Sequence, residues 1–110
     1  MLIDLQKSSK FRILLEHYPE YFLYLKKKKA MLDIDLALAG HAHGGVARIP
    51  HIGSLYAPGQ GFFPKLTEGR HKFGTGFVVI SRGLGGRPFP PRINNKPEIV
   101  VIDVASICKK

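Results

Sequence analysis

Two short apolar runs separated by a single helical stretch constrain the fold of this chain more than any other feature. The runs are residues 11–15 and 35–39, and each is bounded by polar or turn residues, as a buried strand would be. Residues 19–31 predict a helix, because Pro19 suits a first helical turn and Glu20 complements the helix dipole there. Two strands joined by one helix pair in parallel. The chain is therefore predicted to begin with a strand–helix–strand unit.

Further strands are predicted near the end of the chain. Residues 76–81 and 98–104 are rich in Val and Ile and are bounded by turn residues, so both favour strands. Residues 83–91, with three Gly and three Pro, must form a loop. A parallel start followed by hairpin-like strands predicts a mixed sheet in an α/β or α+β fold. Because only one main helix is available, one face of that sheet is expected to lack a cover.

The length, charge and cysteine content of the chain exclude several classes of protein. The 110 residues allow at most one small domain, and a single cysteine, Cys108, excludes an internal disulfide. No apolar run approaches the roughly 20 residues of a membrane span. No signal-peptide core is visible, so a cytoplasmic location is the default. The net charge of +9 is compatible with nucleic acid, anionic lipid or phosphate-bearing substrates.

Three of the five histidines are expected at one edge of the sheet. His17 follows the first apolar run, and His41 and His43 follow the second, within Gly-His-Ala-His-Gly-Gly at residues 40–45. Parallel neighbouring strands end at the same edge, and neutral imidazole is a common metal ligand. His17, His41 and His43 are therefore candidate metal ligands. The alternative for the His-x-His pair is a turn in which both imidazoles bond to backbone.

Carboxylates that would complete such a metal site are missing from the expected place. No acid lies within ten residues after His43, and Asp33 and Asp35 precede or open the second strand. No phosphate loop, dinucleotide-binding fingerprint or nucleophile elbow is present either, so no catalytic residue is nominated. The four lysines at residues 26–29 are interpreted as a solvated helix end.

Several motifs in fixed order resemble one enzyme family. Residues 40–45 resemble the Gly-His-x-His motif of calcineurin-like metallophosphoesterases, and Leu-Leu-Glu-His-Tyr-Pro at residues 14–19 resembles the preceding histidine motif of that superfamily. Residues 55–65, 81–85 and 91–99 are similar to its YkuE-like bacterial branch. The expected organisation is a polar lead-in at residues 1–10, a partial calcineurin-like domain at 11–104 and a basic tail at 105–110.

The resemblance implies the carboxyl-terminal half of a four-layer α/β/β/α sandwich and metal-dependent hydrolysis of phosphomonoesters or phosphodiesters. The complete family site holds two divalent ions, such as Mn, Zn or Fe. By resemblance, His17 and His41 would ligate one ion and His43 the other. Nucleic acid is not an expected partner, and association with the cell envelope occurs in the family.

The chain departs from the family by lacking the Asp-x-His, Gly-Asp-x-x-Asp and Gly-Asn-His-Asp/Glu motifs. These motifs bring the remaining metal ligands and the histidine that assists the leaving group. We therefore expect a fragment that is inactive alone and that pairs with a missing amino-terminal half or with itself. A non-catalytic remnant, or a basic module that binds anionic partners, is the alternative.

Overall fold

A computed structural model of the chain describes residues 10–30, 32–86 and 91–105. Most of the predicted lead-in and tail, with Cys108, and residues 87–90 of the predicted loop lie outside these ranges. In chain order the elements are β1 (Ile13–Leu15), α1 (Glu20–Lys27), β2 (Leu36–Ala39), β3 (Arg48–Ile49), β4 (Gly53–Ser54), β5 (Tyr56–Ala57), β6 (Gly61–Phe62), β7 (Gly69–Phe73) and β8 (Gly76–Ile80).

Four strands form the main sheet, in the order β1-β2-β8-β7. β1 pairs with β2 in parallel and β2 with β8 in parallel, whereas β7 and β8 are antiparallel. The short pairs β3–β4 and β5–β6 are antiparallel ribbons outside this sheet. The predicted strand–helix–strand start and the α/β class with a mixed sheet and one main helix are thus confirmed.

The helix and one face of the sheet build the hydrophobic core. Phe22 and Leu25 are the buried residues of α1, and the Phe22 ring meets the Phe73 ring edge-on with centroids 5.0 Å apart. Because side chains alternate along a strand, Ala37 and Val78, which are register partners, both face the helix. The core cluster comprises Phe22, Leu25, Ala37, Leu66, Phe73, Val78 and Ile80.

The helix is shorter than predicted. It spans Glu20–Lys27, and Lys29 takes a left-handed φ of 53° that cannot continue an α-helix. The lysines at 26–29 are exposed at this end, in keeping with a solvated helix terminus. Within the described ranges, none of the helical structure is long and apolar enough to cross a membrane.

The opposite face of the sheet is open along β1 and partly open at β8. Ile13, Leu36 and Phe77 are register partners that share this face. Leu36 is buried, whereas Ile13 is 52% and Phe77 39% exposed. Leu15, two residues further along β1, is 76% exposed. The expectation that residues 11–15 form a buried strand was therefore wrong: β1 is a short edge strand whose outward side chains are uncovered by the described residues.

The predicted strand at residues 98–104 was also wrong. This segment forms no strand, and Ile99 and Val101 are 76% and 82% exposed. The place beside β8 is taken by β7, whose sequence Gly-Arg-His-Lys-Phe lacks a clear apolar alternation and gave no strand signal. Residues 98 and 100–103 instead border a cavity that Val79 and Arg70 also line.

Candidate functional site

Two of the predicted ligands meet at the carboxyl edge of the sheet. His17 follows β1 and His41 follows β2, and their ring centroids lie 4.6 Å apart with the planes tilted by 58°. The parallel register that pairs Leu15 with Leu38 brings them there, and it continues one step beyond β1, where the Glu16 N–H donates to the Leu38 carbonyl at 3.0 Å. The expected meeting of His17 and His41 is confirmed.

An aromatic neighbour fixes this pair of rings. The Tyr18 ring lies edge-on to both imidazoles, with centroids 4.7 Å from His17 and 4.6 Å from His41. Edge-on rings at this separation attract one another. The Tyr18 backbone is held as well, because its N–H donates to the Glu16 carboxylate at 3.0 Å. The three rings therefore form a cluster next to the strand ends.

His43 lies at a cavity of about 310 Å³ that His41 also lines. The other described lining residues are Val46, Tyr56, Pro58, Gly86 and Arg92. A concave site next to the carboxyl ends of parallel strands is where α/β folds bind ligands. The cavity is thus the candidate place for a substrate beside the histidines.

The backbone of residues 41–46, which we call the histidine loop, is strained. His41, His43 and Val46 have φ angles of 60°, 47° and 45°, a left-handed region that L-residues seldom adopt. Val46 is the extreme case, because its β-branched side chain crowds the backbone there. Each such residue costs about 1–2 kcal/mol. Contacts from elsewhere in the chain must hold the loop in this shape.

Asn95 supplies one such contact from 49 to 52 residues away in sequence. Its Nδ2 donates to the His43 carbonyl at 2.5 Å and to the Val46 carbonyl at 3.1 Å, and the residue is only 4% exposed. Gly44 lies directly against this side chain: a Cβ at position 44 would collide with Asn95 Oδ1. The close approach requires glycine at position 44 as much as its left-handed φ does.

The other side of the loop is held by Arg48 and Ser54. Arg48 Nη1 and Ser54 Oγ each donate to the Gly44 carbonyl at 2.9 Å. Arg48 also forms an ion pair with Glu68, and Ser54 shares a hydrogen bond of 2.8 Å with the Thr67 hydroxyl. The loop is therefore clamped between side chains from three other parts of the chain.

A second arginine extends this ion-pair network. Arg82 pairs with Glu68 at 3.3 Å and with Glu98 at 2.9 Å. Burial acts to raise the pKa of Glu98, but hydrogen bonds from the Arg82 N–H and guanidinium outweigh it and lower that pKa below its ordinary value. The charged Glu98 therefore anchors the start of the segment at residues 98–104.

The donor set at the site fits part of a metal centre. His17 and His41 are close enough to share an ion, and His43 lines the cavity together with His41. Within residues 10–30, 32–86 and 91–105, no three His, Cys, Asp or Glu side chains are grouped to hold a metal. The assignment of His17, His41 and His43 as metal ligands stays a prediction.

The nearby acids are engaged elsewhere. Asp33 and Asp35 pair with Arg12 at the amino-terminal end of β2, away from the histidines. The Glu16 carboxylate accepts the Tyr18 N–H.

Three residues of the site were not identified from sequence: Tyr56, Arg92 and Asn95. Tyr56 and Arg92 line the cavity and Asn95 holds the histidine loop. All three lie inside the runs 55–65 and 91–99 that resemble the family. The resemblance of those runs to the family indicated that the runs matter, but it did not indicate which of their residues face the site.

Comparison with known proteins finds relatives that are named metallophosphoesterases or phosphodiesterases. The uncharacterized metallophosphoesterase YkuE of Bacillus subtilis is 36% identical over 96 residues, which is 87% of this chain and 32% of that protein. Phosphodiesterase YaeI of Escherichia coli is 32% identical over 95 residues, 84% of this chain and 32% of its own length. An uncharacterized metallophosphoesterase of Aquifex aeolicus is 29% identical over 100 residues.

The chain thus spans about a third of the length of the curated relatives it matches. No family model matches it, and no solved structure matches it. The resemblance to metallophosphoesterases, first drawn from the motifs at residues 14–19 and 40–45, is confirmed by these relatives.

Proposed function

We propose that residues 11–104 form part of a metal-dependent phosphoester hydrolase and contribute His17, His41 and His43 to its metal centre. The observation that carries the proposal is the meeting of the His17 and His41 rings, 4.6 Å apart at the ends of two parallel strands. The names of the relatives, metallophosphoesterase and phosphodiesterase, support the same chemistry.

Each histidine has a defined role in this proposal. His17 and His41 would hold one divalent ion, such as Mn, Zn or Fe, and His43 would hold a second from the strained loop. Two such ions, when bound, activate a water and neutralise phosphoryl oxygens during hydrolysis of a phosphomonoester or phosphodiester. The clamped backbone of the histidine loop keeps His43 at the cavity, where a phosphoester can reach it.

The acidic ligands of the centre would come from another polypeptide segment. Imidazoles alone bind a divalent ion weakly, since carboxylates supply the negative charge that most hydrolytic metal centres require. About two thirds of each relative's length has no counterpart in this chain. We therefore expect hydrolysis only when the remainder of such a domain is present.

The open face of the sheet is the surface on which that remainder would dock. Ile13, Leu15 and Phe77 expose apolar side chains on this face. The exposed apolar segment at residues 98–104 borders a cavity that Val79 of β8 also lines. A second sheet packed here would bury them and give the sandwich that the family resemblance implies. Size-exclusion chromatography of the chain alone should then show association, and a clean folded monomer would count against this surface.

Titration with Mn²⁺ tests the metal centre. The chain should bind one ion weakly, and His41→Ala should lower the affinity at least tenfold. His51→Asn is the matched control, because His51 is an exposed histidine with a left-handed φ of 65° that Asn also tolerates. Its affinity should equal that of the parent chain.

Two results would change the proposal. Turnover of a nitrophenyl phosphodiester by this chain alone, lost in His41→Ala, would show that no other segment is needed. Absence of metal binding even beside the remainder of a relative's domain would overturn the hydrolase assignment and leave the non-catalytic remnant.

A further inference from the structure

The cavity beside His41 and His43 is larger than phosphoryl chemistry requires. Its volume is about 310 Å³, roughly ten times the volume of about 30 Å³ that one water occupies in the liquid. A phosphoryl group held at the histidines would fill only part of this volume. The lining residues indicate which other chemical group of a ligand the remaining space would suit.

Part of the cavity lining is apolar. Val46, Tyr56 and Pro58 supply it. The Tyr56 ring is fixed by an edge-on contact with Phe62, with centroids 5.4 Å apart, and Tyr56 is 43% exposed. A fixed aromatic ring that is still accessible, next to a proline and a valine, forms a surface for a flat apolar group.

Arg92 adds one permanent positive charge to the lining. Its Nε donates to the Gly85 carbonyl at 2.8 Å and its Nη2 to the Arg82 carbonyl at 2.7 Å, so the guanidinium is fixed in place. Its Nη1 is buried and has no hydrogen-bond partner. Carbonyl partners leave the charge uncompensated, and a fixed cation at a cavity favours an anionic ligand.

We propose that this cavity binds the apolar, ring-sized ester group of a phosphoester whose phosphoryl group lies at His41 and His43. Val46, Tyr56 and Pro58 contact the ring, and Arg92 attracts the anionic charge. This inference rests on the proposed function and narrows its substrate class to phosphoesters that carry an aromatic or comparably flat apolar group.

Two phosphonates that differ only in that group test the inference. Phenylphosphonate and methylphosphonate have the same anionic head and a phosphorus–carbon bond that is not hydrolysed. Titrated into the ¹⁵N-labelled chain in EDTA and followed by amide chemical shifts, phenylphosphonate should bind about tenfold tighter, the gain expected from burying one ring face. The saturating shifts should centre on Val46 and Gly86, which line the cavity.

Tyr56→Ser should remove most of this preference for the phenyl compound. Tyr24→Ser is the matched control, since Tyr24 is 55% exposed on α1 and lies outside the cavity lining. Val46→Asn is a second variant that keeps the fold, because Asn tolerates the φ of 45° and makes this part of the lining polar. It should also reduce the preference.

Equal binding of the two phosphonates would overturn the inference, and so would an equal effect of Tyr56→Ser and Tyr24→Ser. Because EDTA removes metal ions, neither result depends on the hydrolase assignment. Failure of that assignment would appear separately, as absent metal binding at His41 while the preference for phenylphosphonate persists.

Discussion

Replacing Asn95 by Ala should loosen the histidine loop more than any change at a neighbouring position. Asn95 holds the carbonyls of His43 and Val46 through a single amide nitrogen. It comes from a segment about 50 residues away, so the loop has no local substitute for it. The variant removes both hydrogen bonds without disturbing the strands that carry His17 and His41.

The expected loss follows from the geometry. A buried polar group left without its partner costs about 1–3 kcal/mol. The His43 carbonyl loses the bond from Asn95, whereas the Val46 carbonyl keeps its bond from the Ile93 N–H at 3.2 Å. The expected fall in the free energy of unfolding is about 2 kcal/mol. The three left-handed residues His41, His43 and Val46 store about 3–6 kcal/mol of strain. Because this strain favours other backbone conformations, the loop should become more mobile at His43 once Asn95 is gone.

Urea unfolding followed by circular dichroism measures the stability, with a slope of about 1–3 kcal/mol per molar for a chain of this size. Asn94→Gly is the control: Asn94 is exposed and has a φ of 50°, which glycine adopts freely. Its stability should stay within about 0.5 kcal/mol of the parent. A similarly small effect of Asn95→Ala, with unchanged His43 imidazole resonances, would refute the role assigned to these hydrogen bonds.

Two further predictions concern stability. Hydrogen bonds from Arg12 lower the pKa of Asp33 and of Asp35. The stability that these bonds contribute is therefore fully present above the pKa of about 3.9 that an aspartate has in the unfolded chain, and it is lost as pH falls through the lower pKa of the folded state. Arg12→Met removes the guanidinium bonds but keeps the backbone N–H bond to Asp35, so it should flatten in part the dependence of the urea midpoint on pH below about 4. An unchanged slope would exclude a contribution from the guanidinium. Gly45→Ala should lower the free energy of unfolding by at least about 2 kcal/mol, because the new Cβ would collide with the Ser54 side chain and position 45 has a left-handed φ of 78°. Gly85→Ala, which enters open space, should be near neutral in the same assay.

The elements predicted correctly from the sequence are those whose signal is local. Strand β2 and strand β8 each show a compact apolar run bounded by turn residues, and both are central in the sheet. Strand β7 was missed because its Gly-Arg-His-Lys-Phe sequence has only one apolar residue, Phe73, facing the core. It is a strand because β8 offers it a ladder of hydrogen bonds, which is a tertiary cause.

The strand predicted at residues 98–104 was wrong for the opposite reason. Its Val and Ile content is typical of a strand, but strand propensity measures fit to a half-buried sheet surface and not a property of the backbone alone. Within the described residues no strand pairs with it, so Ile99 and Val101 remain exposed. The Val and Ile content of this segment would suit a strand, but the described part of the chain provides no neighbouring strand for it to pair with.

The histidines of the site were predictable because strand order brings them together. Once residues 11–15 and 35–39 are taken as parallel neighbours, His17 and His41 must emerge at one edge. Asn95 and Arg92 were not predictable in this way. Their contacts depend on how residues 91–95 return to the histidine loop, and no periodicity in the sequence encodes that path.

The open sheet face and the histidine cluster are physically connected through β1. Leu15 is the outermost exposed residue of that strand, and His17 follows two residues later. A segment that docks on Leu15 and Ile13 would fix the end of β1, and with it the His17 ring beside His41. Docking and metal binding at these imidazoles would then strengthen one another, since a coupling free energy between two sites acts equally in both directions. The low metal affinity expected of the chain alone therefore has two causes: the missing carboxylates, and an edge strand that is paired with β2 but whose outward side chains are uncovered by the described residues.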